Sequence, residues 1–195
     1  DIEVLILCGG HGTQLRGIVK DRPKPMAEIN EQPFSDILLD YMRGLGFKSF
    51  ILSIGYMADK IRKYYSGNKY PDIRFSEENK QLGTGGAVKK AKGLVKSDPF
   101  LVINGDSFCR FNFGDFLSFH NNNKGIPSIA LVKNKKNKDC GWITLDDSGR
   151  ISKFSEKARI GKHNFVNAGI YLFRKEIFSY MPEKIKFGTI CAGQD

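Results

Sequence analysis

Ile2-Glu3-Val4-Leu5-Ile6-Leu7-Cys8-Gly9-Gly10 is the stretch on which the fold turns. Val4 to Leu7 offers no polar face, and the run stops abruptly at two glycines. A strand buried on both faces has this pattern, and such strands belong to parallel sheets covered by helices. A second run of the same kind, Phe100 to Ile103, leads into Asn104-Gly105-Asp106. Between the two, Phe34, Ile37, Leu38, Tyr41, Met42 and Leu45 recur at helical spacing, with Pro33 placed for the first turn and Gly46 for the stop. Ser49 to Ile54 and Ile73 to Ser76 read as strands, and Ala58 to Tyr65 and Lys89 to Val95 as helices. Strands alternating with helices predict right-handed crossovers and an α/β fold with a mostly parallel sheet. From Ser128 onward the pattern changes. Short strands at Ser128 to Val132, Trp142 to Leu145, Ile151 to Phe154 and Phe165 to Phe173 follow one another with turn signals such as Asp147-Ser148-Gly149, which predicts a small antiparallel addition at one end of the sheet.

With 195 residues and 41% hydrophobic content the chain is of single-domain size and can bury a core, so residues 1–195 are expected to form one domain. No apolar run approaches the ~20 residues that span a bilayer, and the start lacks the basic-then-apolar layout of a signal peptide. The expectation is a soluble, cytoplasmic protein with no membrane partner. Cys8, Cys109, Cys140 and Cys191 show no Cys-x-x-Cys spacing, so neither a zinc site nor a disulfide framework is indicated. The net charge of +10 suits a phosphorylated partner, either nucleic acid or a small phosphorylated substrate. The densest basic run, Lys133-Asn134-Lys135-Lys136-Asn137-Lys138, has no interleaved aromatic residue, reads as a solvated turn, and argues against nucleic acid. No helix face shows an oligomer seam, and a homo-oligomer is left open.

After the first strand, Gly9-Gly10-His11-Gly12-Thr13-Gln14 places three glycines and a threonine in a loop. Successive backbone N–H groups in such a loop form a nest for anionic oxygens, and glycine lets the chain approach a phosphate closely. An ordinary tight turn has the same composition. The dinucleotide fingerprint fails, since its third glycine would fall at Leu15, and no Gly-x-x-x-x-Gly-Lys-Ser/Thr occurs, which disfavours a dehydrogenase. The continuation Asp21-Arg22-Pro23-Lys24-Pro25-Met26 is more telling. Two prolines constrain the backbone around Lys24 and push the residues before them toward extended conformations, which holds one ammonium in a defined place.

Gly9-Gly10-x-Gly12-Thr13 followed by Pro23-Lys24-Pro25-Met26 resembles the signature of the sugar-1-phosphate nucleotidyltransferases. The resemblance continues in order through Leu82-Gly83-Thr84-Gly85-Gly86-Ala87, Asn104-Gly105-Asp106, Glu156-Lys157 and Asn167-Ala168-Gly169-Ile170-Tyr171. It implies a three-layer, Rossmann-like fold and transfer of a nucleoside monophosphate from a nucleoside triphosphate to a sugar 1-phosphate. It also implies a nucleotide site at Leu7, Gly9, Gly10, Gly12 and Thr13 with a base platform at Leu82, Gly83, Thr84, Gly85 and Gly86. Lys24, Asp106 and Gln14 fall at its catalytic positions, and Asp106 at the position that binds Mg²⁺. Asn104, Gly141, Glu156, Lys157 and Asn167 fall at sugar-phosphate positions. Within the family, Cys8-Gly9-Gly10, then Lys20-Asp21-x-Pro23-Lys24-Pro25-Met26-Ala27-x-Ile29, then Pro33-Phe34, is most similar to the D-glycero-D-manno-heptose 1-phosphate guanylyltransferases, which implies GTP as donor and a role in surface polysaccharide synthesis.

Two departures stand out. The family's first loop carries an arginine where this chain has Gln14, with Arg16 and Arg22 as nearby substitutes; a missing charge at a phosphoryl site costs transition-state stabilisation. The family's second metal-binding aspartate, in an Asp-Ile-Gly motif, has no counterpart before Asp195, so the C-terminal end of the family fold is expected to be missing. These departures keep a non-catalytic nucleotide-sugar sensor open as an alternative. Mannose or glucose 1-phosphate with CTP, UTP or dTTP remain open as alternative substrates.

Overall fold

The computed structural model describes residues 1–10, 22–67, 70–123, 127–133, 142–155 and 165–182. Strand β1 (Val4–Leu7) is buried on both sides: Val4 and Ile6 join one hydrophobic cluster and Leu5 the other. A 3-10 turn at Lys24–Met26 precedes a two-stranded hairpin, β2 (Glu28–Ile29) and β3 (Gln32–Pro33). The hairpin turns on Asn30 and Glu31 at φ +50° and +66°, the positive values a type I′ turn requires. Helix α1 (Phe34–Gly44) begins directly after Pro33, which caps it with extended backbone instead of occupying its first turn. Gly46, at φ +95°, stops it, and the Phe47 N–H reaches back to the Met42 carbonyl in the manner of a Schellman end.

Strand β4 (Phe50–Ile54), helix α2 (Ala58–Tyr65) and strand β5 (Ile73–Glu77) follow as expected. The next helix is displaced. Helix α3 runs Gly83–Lys90 and finishes in a 3-10 turn at Ala91–Gly93, whereas the apolar pattern places a helix at Lys89 to Val95. Glycine is a poor helix former, which hides α3 from propensity. Tertiary packing overrides this, because Gly86 lies where a Cβ would come within 2.5 Å of the Leu82 side chain, so only glycine lets that turn close. Strand β6 (Phe100–Asn104) precedes helix α4 (Phe113–Asn122), capped by the Asn112 side chain accepting from the Asp115 N–H at 3.2 Å. Four strands complete the sheet, β7 (Ser128–Lys133), β8 (Trp142–Leu145), β9 (Ile151–Ser155) and β10 (Phe165–Phe173), before the short α5 (Ile177–Tyr180). Of the basic run, only Lys133 lies within the described residues, and it is exposed.

The parallel part of the sheet has the order β5-β4-β1-β6. The antiparallel addition starts at β10, whose Ile170–Phe173 pair with β6 and whose Phe165–Val166 pair with β8. Strand β7 follows the opposite edge of β10, with a register irregularity between Asn167 and Tyr171. Helices α1, α2 and α4 cover one face and α3 and α5 the other, giving three layers and a core on each side of the sheet.

Register positions the site. Leu7 pairs with Ser53 on one side and Asn104 on the other, so the carboxyl ends of β1, β4 and β6 finish level. The ladder extends one step further through Cys8 N–H to the Ser53 carbonyl at 2.8 Å, Gly105 N–H to the Leu7 carbonyl at 3.0 Å and Glu78 N–H to the Ile54 carbonyl at 2.8 Å. Three loops are thereby packed side by side, at the edge where open α/β sheets bind ligands.

Candidate active site

A cleft of about 330 Å³ opens above these strand ends. Leu7, Cys8, Gly9 and Gly10 form one wall, Gln81, Gly83, Thr84 and Ala87 another, and Lys24, Pro25, Asn104 and Asp106 close the far side. Glu78 also lines it. Of the residues expected to bind nucleotide, Leu7, Gly9, Gly10, Gly83 and Thr84 border the cleft, whereas Leu82, Gly85 and Gly86 do not. Gly83 needs its glycine for a φ of +69°, which starts α3 on the cleft wall. Gly12, Thr13, Gln14, Gly141, Glu156 and Lys157 lie outside the described residues.

The close approach of the loops is enforced by small residues. A Cβ on Gly9 would lie 2.8 Å from Glu78 Oε1, one on Gly55 3.1 Å from the Gly9 carbonyl oxygen, and one on Gly105 2.7 Å from the Leu7 carbonyl oxygen. Gly55 and Glu78 carry no motif signal; only the fold brings them against the first glycine loop.

Lys24 Nζ donates to Asp106 Oδ2 at 2.7 Å, joining residues 82 positions apart across the cleft. Lys24 is not extended, as the following proline suggests on its own. It opens a 3-10 turn closed by Met26 N–H to the Pro23 carbonyl at 2.8 Å and Ala27 N–H to the Lys24 carbonyl at 3.0 Å, with Pro23 extended before it and Pro25 buried. Pro25, at the start of the turn, has no N–H to leave unsatisfied, so the prolines still brace the lysine. The Asp106 carboxylate is 41% exposed and accepts a further hydrogen bond from Ser107 Oγ at 3.0 Å. Arg22, one possible stand-in for the arginine absent at Gln14, is ion-paired with Glu28.

Among the described residues no group of three or more His, Cys, Asp or Glu could enclose a metal ion by itself. The exposed Asp106 carboxylate nonetheless fits a hard cation that keeps water and takes the rest of its ligands from substrate phosphates, as Mg²⁺ does. A thiol nucleophile does not fit the site. Burial foremost, and then the Asp106 charge, push the Cys8 thiol up to about 12, so it stays protonated at neutral pH.

Glu78 sits at the N-terminal end of α3, where its Oε2 accepts the Leu82 N–H at 3.1 Å. Its Oε1 lies against Gly9, so this one carboxylate stands between the first glycine loop and the start of the second.

Asn104, at the end of β6, faces the cleft. Asn167 does not border it. Its Oδ1 accepts the Gly169 N–H at 2.8 Å and its Nδ2 donates to Tyr171 Oη at 2.6 Å, which holds the irregular turn of β10. Gly169, at φ +72°, passes so close to Asn104 that a Cβ would lie 2.6 Å from Asn104 Nδ2.

A family model described as nucleotidyl transferase matches residues 3–188. The chain is 36% identical over 187 residues to the D-glycero-alpha-D-manno-heptose 1-phosphate guanylyltransferase of Campylobacter jejuni, spanning 95% of this chain and 82% of that protein. The crystal structure of HddC from Yersinia pseudotuberculosis superposes with a TM-score of 0.85 at 30% identity, covering 98% of this chain and 84% of that one. HddC complexed with GMP-PN superposes at 0.82, with the same identity and coverage.

Proposed function

The chain belongs to the nucleotidyl transferase family, and from that premise we propose that it transfers GMP from GTP to D-glycero-α-D-manno-heptose 1-phosphate, releasing pyrophosphate and forming GDP-heptose for surface polysaccharide synthesis. The carrying observation is the Lys24–Asp106 pair, in one cleft with residues of two glycine loops. The heptose 1-phosphate guanylyltransferase relative and the guanine-nucleotide complex of HddC support the choice of donor and acceptor.

The reaction is an in-line displacement. An oxygen of the sugar 1-phosphate attacks the α-phosphorus, the new P–O bond forms, and the α–β bridging bond breaks with its electron pair leaving on pyrophosphate. The attacking oxygen is already anionic, so no general base is required, and catalysis reduces to positioning and charge stabilisation. Gly9 and Gly10, continued by Gly12 and Thr13, cradle the β- and γ-phosphates with backbone N–H groups. Lys24 leaves Asp106 for the reacting phosphates and offsets the charge that builds there. Asp106, so released, would hold Mg²⁺, whose charge screens the converging phosphates. Gln14 contributes hydrogen bonds where the family has a charge, Lys157 takes the sugar phosphate, and Asn104, Gly141 and Glu156 meet the sugar. Asn167 shapes the strand behind them.

Among the described residues no helix is long and apolar enough to cross a membrane.

Pyrophosphate release with Mg²⁺ tests the reading, using GTP, CTP, UTP, dTTP and ATP against heptose, mannose and glucose 1-phosphates. Release from GTP with heptose 1-phosphate is expected; release from another pair reassigns the substrates. No release from any pair, with nucleotide still binding in calorimetry, makes the protein a sensor.

A further inference from the structure

Ser53 lies on β4 with its side chain wholly buried, on the face of the sheet covered by α3. A hydroxyl there needs a partner, and it has one: Ser53 Oγ donates to Glu78 Oε1 at 2.8 Å. The other oxygen of the same carboxylate takes the Leu82 N–H, the residue from which α3 starts. The first oxygen also lies against Gly9, where any side chain would strike it. One carboxylate of an 8% exposed residue therefore touches β4, the first glycine loop and the start of the second.

A buried carboxylate is costly unless each oxygen is bonded, and its orientation is then set by whichever donors are rigid. Leu82 N–H belongs to a loop. Ser53 is in the middle of the sheet, with its backbone tied to the ladder through Leu7 on one side and Ser76 on the other. We propose that Ser53 is a positioning residue for the nucleotide: by fixing the Glu78 carboxylate from beneath, it holds the two glycine loops at the separation that GTP requires. This rests on the nucleotidyl transfer reading above. It adds a residue that touches no substrate and that no motif marks.

The test compares wild type with S53A, which removes the hydroxyl, and S53C, which keeps the volume but offers only a weak donor. Both variants are expected to raise KM for GTP about tenfold, the size of one hydrogen bond to a charged group. Neither should shift KM for heptose 1-phosphate more than about twofold, and kcat should change less than KM for GTP. In an E78A background, S53A should add nothing further, because its effect passes through that carboxylate. An S53C enzyme indistinguishable from wild type overturns the proposal, since packing alone would then explain the site. So does a loss shared equally by both substrates, or effects of S53A and E78A that multiply. If E78A does not fold, the S53A and S53C pair decides alone. A wild type that turns over no substrate pair defeats the functional reading instead, and GTP affinity of the three Ser53 proteins by calorimetry then decides the positioning role. A wild type that binds no GTP overturns both.

Discussion

At the residue scale, the lysine between two prolines carries the sharpest consequence. On the role proposed for Lys24, offsetting charge that is greatest in the transition state, Lys24→Ala should lower kcat by about 100-fold or more while GTP affinity changes far less. Equal turnover in the variant would remove Lys24 from the chemistry. Gly105 is a different case, since its role is steric. An added Cβ would meet the Leu7 carbonyl oxygen at 2.7 Å and Cys8 Sγ at 2.8 Å, and a backbone oxygen in a sheet ladder cannot step aside. Gly105→Ala should cost about 1–3 kcal/mol, read as a fall of several degrees in Tm, and should open the ends of β1 and β6. The motifs displayed Lys24 and Asp106 directly, because a charged group braced by prolines and one following a buried strand are sequence patterns. Glu78, Gly55 and Ser53 displayed nothing, because their importance lies in which loops the sheet register brings against them.

At the element scale, the opposite end of β1 is held by Glu3. Burial by itself would raise its carboxyl, but the Ser97 and Lys96 N–H groups and the Arg74 guanidinium outweigh it, and the net shift is downward. A carboxylate depressed in the folded state adds stability that is complete above the ordinary glutamate value of about 4.3 and is lost as pH falls through the folded value. Glu3→Gln should therefore destabilise the protein by about 1–3 kcal/mol at pH 7, and the two denaturation midpoints should converge on acidification below about pH 4. A gap that persists unchanged into acid would mean that charge is not what Glu3 contributes. The same logic of local pattern against tertiary contact explains the helices. Helix α1 was legible from its apolar stripe, whereas α3, rich in glycine, is capped by a carboxylate arriving from the end of β5 and was misplaced toward Lys89 to Val95. Helix α4 packs Phe113, Phe116 and Leu117 on the core of the same face as α1, a contact that exists only once the sheet is formed.

At the scale of the whole molecule, the cleft is assembled from loops after β1, β5 and β6, together with the turn bearing Lys24, so ligand binding and global stability are linked. GTP at about 100 times its Kd should add about 2.7 kcal/mol, which for a chain of this length raises Tm by roughly 5–10 °C. A triphosphate that raises Tm without supporting turnover would favour the sensor over the enzyme. The antiparallel strands bear on the same cleft through β10, where Gly169 crosses Asn104 and the Asn167 amide locks the turn beside it.

By itself the sequence determined the class of fold and the family, and it singled out the first glycine loop, Lys24 and Asp106, which the structure brings to one cleft. Buried strands, glycine loops and a proline-braced lysine are local features whose physical meaning survives without a partner. Tertiary structure alone decided that the Asn167 amide ties the irregular turn of β10 to Tyr171, and that Lys24 rests on Asp106. It also placed a buried carboxylate on a buried serine between the two loops. Those are contacts between residues far apart in the chain, and they exist only because parallel register brings the strand ends level.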